Sequence, residues 1–237
     1  MLDKLFNKLS SRRDDKYIEI KNTPKKYVII GASAAGINAG KVLRKLDPNS
    51  NITIISKDNK IYSRCMLHHI ISNHRSVDSI NFVDVDFMDK NNIIWIKNTI
   101  AKSIDTKNKV VNLEDESIKY DKLLIATGAK SFIPPIKNIK EGNNIYSLRD
   151  IEDVFYIKEK IKKSKKVAII GAGLIGIDVL TSLLEINNLE VSLIYPNDYI
   201  LDLQLDEYSA KIYERKFIER GAKLYSSLPV NQIILDD

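Results

Sequence analysis

Two stretches of the chain carry the same succession of an apolar run, a glycine turn and apolar positions at helical spacing. In KKYVIIGASAAGINAGKVLRKL the run covers residues 27–30, and Ile37, Val42, Leu43 and Leu46 recur after the turn. In KKVAIIGAGLIGIDVLTSLLEI the run covers 167–170, followed by Ile177, Leu180, Leu183 and Leu184. A short apolar run that ends in a turn signal reads as a buried strand, and the 3–4 spacing after it as a helix. Each stretch therefore predicts a strand, a tight turn and a helix N-terminus.

Between the two the period changes. NNIIWIKNTIAKSIDTKNKVVNLEDESIKYDKLLIATGAKSFIPP predicts short strands over 93–96, 100–104, 110–113 and 123–126, a meander followed by a buried strand. Thr127 and Gly128 close that last strand in a turn, and Pro134 and Pro135 mark a connector. Near the start, Leu2, Leu5, Phe6 and Leu9 stand at helical spacing, as in a short amphipathic docking helix, although a loose extension is the simpler reading. The pattern as a whole is α/β.

Composition narrows the class. The chain has 237 residues, 44% hydrophobic and 29% charged, which is the make-up of a soluble globular protein of one large or two small domains. Its net charge of +6 comes from scattered lysines, which suit an anionic cofactor better than nucleic acid. The longest apolar run, around 27–40, is too short to span a membrane, and an early Asp3 argues against an export signal. A single cysteine excludes an intrachain disulfide and fits a reducing cytoplasm.

The glycines bring in chemistry. In a dinucleotide-binding turn, one glycine permits the sharp bend, a second lets backbone approach a pyrophosphate, and a third lets helix pack closely on strand. The N–H groups and dipole of the helix start then hold the phosphates. The second stretch has the full set, Gly171, Gly173 and Gly176; the first has Gly31 and Gly36 with Ser33 between them. An acid is expected on the ribose about 20 residues later. Asp58 is the candidate after the first helix. After the second, Tyr195 occupies the acid's place and Asp198 lies three residues on, with no basic residue instead, so NADH and NADPH both remain open.

The segment IYSRCMLHHIIS, residues 61–72, holds the only cysteine and two of the three histidines. Ser63 is placed to cap a helix whose apolar face is Met66, Leu67, Ile70 and Ile71. Cys65, His68 and His69 fall on one face at i, i+3 and i+4, with His74 nearby, a set that zinc accepts; structural zinc sites usually draw ligands from two separated segments, so no metal is expected here.

The order of motifs, from the first glycine turn through the meander, YDKLLIATGA, the diproline, YSLRDIEDV and VAIIGAGLIGID, resembles the pyridine nucleotide-disulfide oxidoreductase superfamily from about Lys25 to the C-terminus. Within it the chain is most similar to the branch of NADH oxidases, rubredoxin reductases and nitrite reductase flavoproteins. The resemblance implies two Rossmann-like dinucleotide-binding domains of the three-layer ββα type. Residues 24–144 would bind FAD and 145–237 NAD(P)H, after an extension over 1–23. It further implies hydride transfer from nicotinamide to flavin and electron delivery to a small-molecule or redox-protein acceptor. By this likeness Gly31, Ser33, Ala34, Ala35 and Gly36 lie against FAD, with Asp58 at its ribose and Thr127 and Gly128 as a second contact. Gly171, Gly173, Leu174, Ile175 and Gly176 take NAD(P)H, and Asp178 stands where the family usually has Glu.

In the same family the segment around Cys65 packs beside the flavin, and one branch carries a redox cysteine there. A helix N-terminus and Arg64 would both favour its thiolate, making Cys65 the candidate catalytic thiol; a buried inert cysteine is the plainer reading. Arg64 would touch cofactor phosphate or flavin, the alternative being an ordinary ion pair. The chain departs from the family in having no Gly-Asp flavin segment and in stopping at VNQIILDD, inside the second nucleotide domain. A truncated gene product, a split gene with a complementing C-terminal polypeptide, or a deliberately shortened chain all fit this.

Overall fold

The apolar run that opens the first stretch becomes β1 (Lys26–Ile30), and the turn after it leads into helix α1 (Ala34–Leu46) and strand β2 (Asn51–Ile55). Two four-residue helices, α2 (His68–Ile71) and α3 (Phe87–Lys90), precede β3 (Ile93–Ile96). Next come β4 (Ser103–Asp105), β5 (Val110–Asn112), β6 (Ser117–Lys119) and β7 (Lys122–Ile125). The second stretch gives β8 (Lys166–Ile170) and α5 (Leu174–Leu183), preceded by α4 (Ile151–Ile161) and followed by β9 (Glu190–Ile194), α6 (Glu207–Glu219) and β10 (Lys223–Tyr225). This computed structural model describes residues 24–235, so the helical spacing of Leu2, Leu5, Phe6 and Leu9 lies outside the described residues.

Contacts divide the chain into two units, one within Met1–Asn59 and Val85–Thr127, the other within Lys60–Asp84 and Gly128–Asp237. In the first, a parallel sheet runs in the order β3-β2-β1-β7, with Val28 opposite Thr53 and Leu123, and Ile52 opposite Ile93. An antiparallel sheet β4-β5-β6 lies on it: Val28, Ile30 and Ile55 pack with Val111 and Leu113. Alternate residues of the same strands meet α1, where a methyl added at Gly40 would lie 3.0 Å from Ile93 Cδ1 and 3.4 Å from Ile54 Cδ1. Strand side chains alternate between faces, so one apolar strand feeds two cores, and the result is helix, parallel sheet and meander in three layers. Arg44 anchors the far end of α1 by donating to the carbonyls of Pro48, Ser50, Asn91 and Asn92.

Two expectations need correction here. Residues 93–96 belong to the parallel sheet and not to the meander, whose third strand is the polar Ser117–Lys119. A four-residue apolar run does not reveal its pairing partner, and β6 is too polar to register as a strand. Val42 and Leu46, counted as part of the helix's apolar face, point to solvent.

The second unit has a three-stranded parallel sheet in the order β10-β9-β8, with Val167 opposite Val191 and Ser192 opposite Lys223. Leu180 and Leu183 of α5 are buried with Val191, Leu193, Ile200, Ala210 and Phe217. Residues 60–84 join this unit, a grouping that chain order alone does not give: α2 rests on α4 and α5, and Tyr62, Leu67, Ile70 and Ile71 enter the same core. After the diproline, Lys137 bridges Gln232, and Lys137 N–H donates to the Asn231 carbonyl. Among the described residues no helix is long and apolar enough to cross a membrane.

Candidate functional sites

The first turn is built by exclusion. Gly31 adopts φ +116°, and its N–H donates to the Ile55 carbonyl at 2.8 Å, which carries the chain from β1 over the end of β2. A Cβ at Gly31 would come within 2.2 Å of the Ala126 carbonyl oxygen, and one at Gly36 within 1.8 Å of the Gly31 oxygen. No side chain fits at either position. Ser33 is extended and caps α1 through backbone alone, its carbonyl accepting from Ile37 N–H at 3.0 Å, and Ala34 and Ala35 open the helix exposed. The first-turn N–H groups lack intrahelical acceptors, so this end attracts an anion.

Asp58 follows β2 on a loop fixed by buried Ser56, whose hydroxyl donates to the Asp58 carbonyl at 2.7 Å and accepts from Trp95 Nε1 at 2.9 Å. Neither Ser56 nor Trp95 was among the residues singled out from sequence; their role depends on β2 and β3 being neighbours. Thr127 and Gly128 close β7, Gly128 with φ +70°. A methyl there would lie 2.9 Å from the Arg149 guanidinium, which places an unanticipated cation beside this glycine.

The second turn repeats the construction in the other unit. Gly171 has φ +105°, its N–H donates to the Ile194 carbonyl at 2.9 Å, and a Cβ at Gly176 would lie 2.0 Å from the Gly171 oxygen. In contrast, a Cβ at Gly171 or Gly173 would meet nothing within 4 Å. The crowded glycine holds helix to turn, and the open pair leaves space above it. Leu174 and Ile175, the first residues of α5, are exposed beside that space.

The place of the ribose acid is taken up structurally. Tyr195 is 2% exposed, and its hydroxyl donates to Glu214 Oε1 at 3.0 Å. Burial first, and then the bond to Glu214, hold this phenol's pKa far above its ordinary value. Glu214 also accepts from Ile200 N–H at 3.1 Å and from Lys211 Nζ at 2.8 Å, so its buried carboxylate is satisfied.

The Cys65 segment differs from expectation. It is a 3₁₀ turn over Arg64–Met66 followed by the four-residue α2, and Ser63 makes no side-chain cap bond. Without a continuous helix the dipole argument for Cys65 loses its basis. Cys65 itself is exposed. Arg64 forms the ion pair that was its alternative role: Nη2 and Nε lie 3.1 and 3.2 Å from Asp150 Oδ1, with the guanidinium carbon 4.9 Å from the Tyr62 ring centre. His68 Nδ1 is 3.7 Å from Asp178 Oδ2, His74 Nε2 is 3.1 Å from Glu185 Oε2, and the His68 and His69 rings lie tilted at 38° with centroids 4.1 Å apart. Among the described residues no three His, Cys, Asp or Glu side chains converge to hold a metal ion.

The family model for pyridine nucleotide-disulphide oxidoreductases matches residues 25–237. The chain belongs to this family. It is similar to the NADH-rubredoxin oxidoreductase of Clostridium acetobutylicum, 35% identical over 85% of this chain and 52% of the relative. It is also 31% identical to the NADH oxidase of Methanocaldococcus jannaschii over 87% of this chain and 48% of that protein. The crystal structure of the C. acetobutylicum NADH:rubredoxin oxidoreductase superposes with a TM-score of 0.75 at 32% identity, covering 88% of this chain and 54% of that one. The chain thus spans about half the length of the relatives it matches.

FAD and NAD(P)H are the cofactors of the pyridine nucleotide-disulphide oxidoreductases. Both turns fit such dinucleotides: a carbonyl occupies the volume of any side chain at Gly31, Gly36 and Gly176, and nothing occupies the space over Gly171 and Gly173.

Proposed function

We propose that this chain carries the two dinucleotide sites of an FAD-dependent NAD(P)H oxidoreductase, with FAD on the first turn and NAD(P)H on the second. The carrying observation is the repetition of one construction: φ +116° and +105° at the leading glycines, and a closing glycine whose Cβ would strike the leading glycine's carbonyl in both. When bound, the pair of cofactors supplies hydride transfer from nicotinamide to flavin, and the electrons pass on to a small-molecule or protein acceptor. The chain's own share is to hold two pyrophosphates on helix N-termini and to place Asp58, Thr127 and Gly128 around the first nucleotide. Rubredoxin and nitrite are the acceptors in the names of two similar proteins, and a redox protein or small oxidant is the acceptor class proposed here.

Cys65, exposed and next to Arg64 in the chain, is the candidate redox thiol within this reading. Purified protein reconstituted with FAD should be yellow and should bleach with NADH under anaerobic conditions. Protein that takes up no flavin sinks the oxidoreductase reading for this chain. Cys65→Ser separates the two acceptor classes: loss of peroxide, oxygen or disulfide reduction supports a redox thiol, whereas unchanged turnover with a protein acceptor removes it.

A second reading, a nucleotide-binding portion that is catalytically incomplete, is favoured by the open edges of the parallel sheets. Strand β7 ends one sheet and β8 ends the other among the described residues, with Ile125 60% and Ile170 40% exposed. Unpaired parallel edges accept further strands, which a longer chain or a complementing polypeptide would supply. Calorimetry that detects ADP-type nucleotides without any flavin reduction would support this reading over the first.

A further inference from the structure

We infer that Asp198 reads the adenine ribose at the second turn and makes this site select a free 2′-hydroxyl, NADH over NADPH. The inference rests on the nucleotide reading above. In a Rossmann unit the acid that receives the ribose hydroxyl stands at the end of the second strand. Here that position is Tyr195, whose side chain is buried against Glu214. The loop that follows takes over its place at the turn.

That loop is tied to the glycine turn at both ends. Gly171 N–H donates to the Ile194 carbonyl, and Leu201 N–H returns to donate to the Ala172 carbonyl, both at 2.9 Å. Leu201 holds φ +54°, a left-handed conformation that reverses the chain at this point. Glu214 clamps the loop from within, through the Tyr195 hydroxyl and Ile200 N–H. Residues 196–198 are left exposed along the rim of the turn.

Asp198 is oriented on that rim. Its Oδ1 accepts from the Ser227 hydroxyl at 2.7 Å, its carbonyl accepts from Lys211 Nζ at 3.0 Å, and Ser227 N–H donates to the Asn197 carbonyl at 2.9 Å. A carboxylate held in this way accepts hydrogen bonds from ribose hydroxyls and repels a dianionic 2′-phosphate. The surroundings add to the repulsion: residues 195–206 include Asp198, Asp202 and Asp206 and no Lys or Arg. Lys211, packed beneath, already donates to Glu214 Oε2 and to the Asp198 carbonyl.

Calorimetric titration of the full 237-residue chain with 5′-ADP and with 2′-phospho-ADP tests this, because these probes differ only at the group in question. ADP should bind at least about tenfold more tightly, as expected for a site that hydrogen-bonds the hydroxyl and repels its phosphate ester. Asp198→Asn keeps the shape and the acceptor for Ser227 while removing the charge. It should leave the melting temperature unchanged and bring the two affinities to within about threefold of each other. Equal affinities in the unaltered chain, or an unchanged preference in the Asn variant, overturn the role of Asp198 and leave the nucleotide reading standing. A chain that binds neither probe overturns both.

Discussion

Glycines of one motif differ in what surrounds them, and this separates stability from binding residue by residue. At Gly176 an added methyl meets the Gly171 carbonyl at 2.0 Å, whereas at Gly173 it meets nothing within 4 Å. Gly176→Ala should therefore lower the melting temperature or prevent folding, because backbone has to move. Gly173→Ala should cost no more than about 1 kcal/mol of stability, as for an N-cap exchange, while weakening ADP binding by about tenfold or more. Thermal melts paired with calorimetry distinguish the two outcomes. Tyr195 offers a second residue-scale test. Its pKa is raised in the folded state, so the stability linked to it is complete below the ordinary tyrosine value of about 10 and is lost as pH rises above that. Tyr195→Phe should cost about 1–2 kcal/mol at neutral pH through the lost bond to Glu214. It should also flatten the alkaline limb of denaturant midpoints between about pH 9 and 11, and an unchanged limb would assign that limb to other groups.

At the scale of elements, three imidazoles cluster in and just after α2. His69 lies between His68 and His74, with ring centroids 4.1 and 6.3 Å away. Burial, followed by the neighbouring His68, Arg75 and His74, lowers its pKa, and Asp178 opposes them. The unfolded chain therefore binds this proton more readily, and stability is lost as pH falls below about 6.5. A His69→Phe variant should lose less stability than the unaltered chain between about pH 7 and 5, followed by denaturant midpoints. An identical loss would show that His69 does not carry it. The short elements were the least legible from sequence. Apolar spacing around Leu67, Ile70 and Ile71 found the buried face, but not that the helix breaks into a 3₁₀ turn and four residues. Spacing reports burial, whereas the hydrogen-bond pattern depends on what the segment docks against.

For the whole molecule, β7 and β8 end their parallel sheets among the described residues and carry the exposed Ile125 and Ile170. Strand edges with exposed Ile125 and Ile170 are templates for pairing with another chain. Self-association of the 237-residue chain should rise with concentration, and the double exchange Ile125→Lys with Ile170→Lys should reduce it in light scattering. A variant that associates as before would move the contact elsewhere, for example to the exposed Leu203 and Tyr208.

The sequence by itself determined the two strand–turn–helix openings, the positions of the glycines, the connector and the family. These are local: a glycine is forced by the backbone of its own turn, and the apolar period is written in adjacent residues. Tertiary structure alone decided that residues 93–96 join the parallel sheet, that Arg64 pairs with Asp150 across 86 positions, and that Tyr195 turns inward to Glu214. It also decided that Asp198 stands on a loop tied back to the glycine turn. Each of these depends on partners distant in the chain, and a residue type constrains its partner only after the fold has brought the two together.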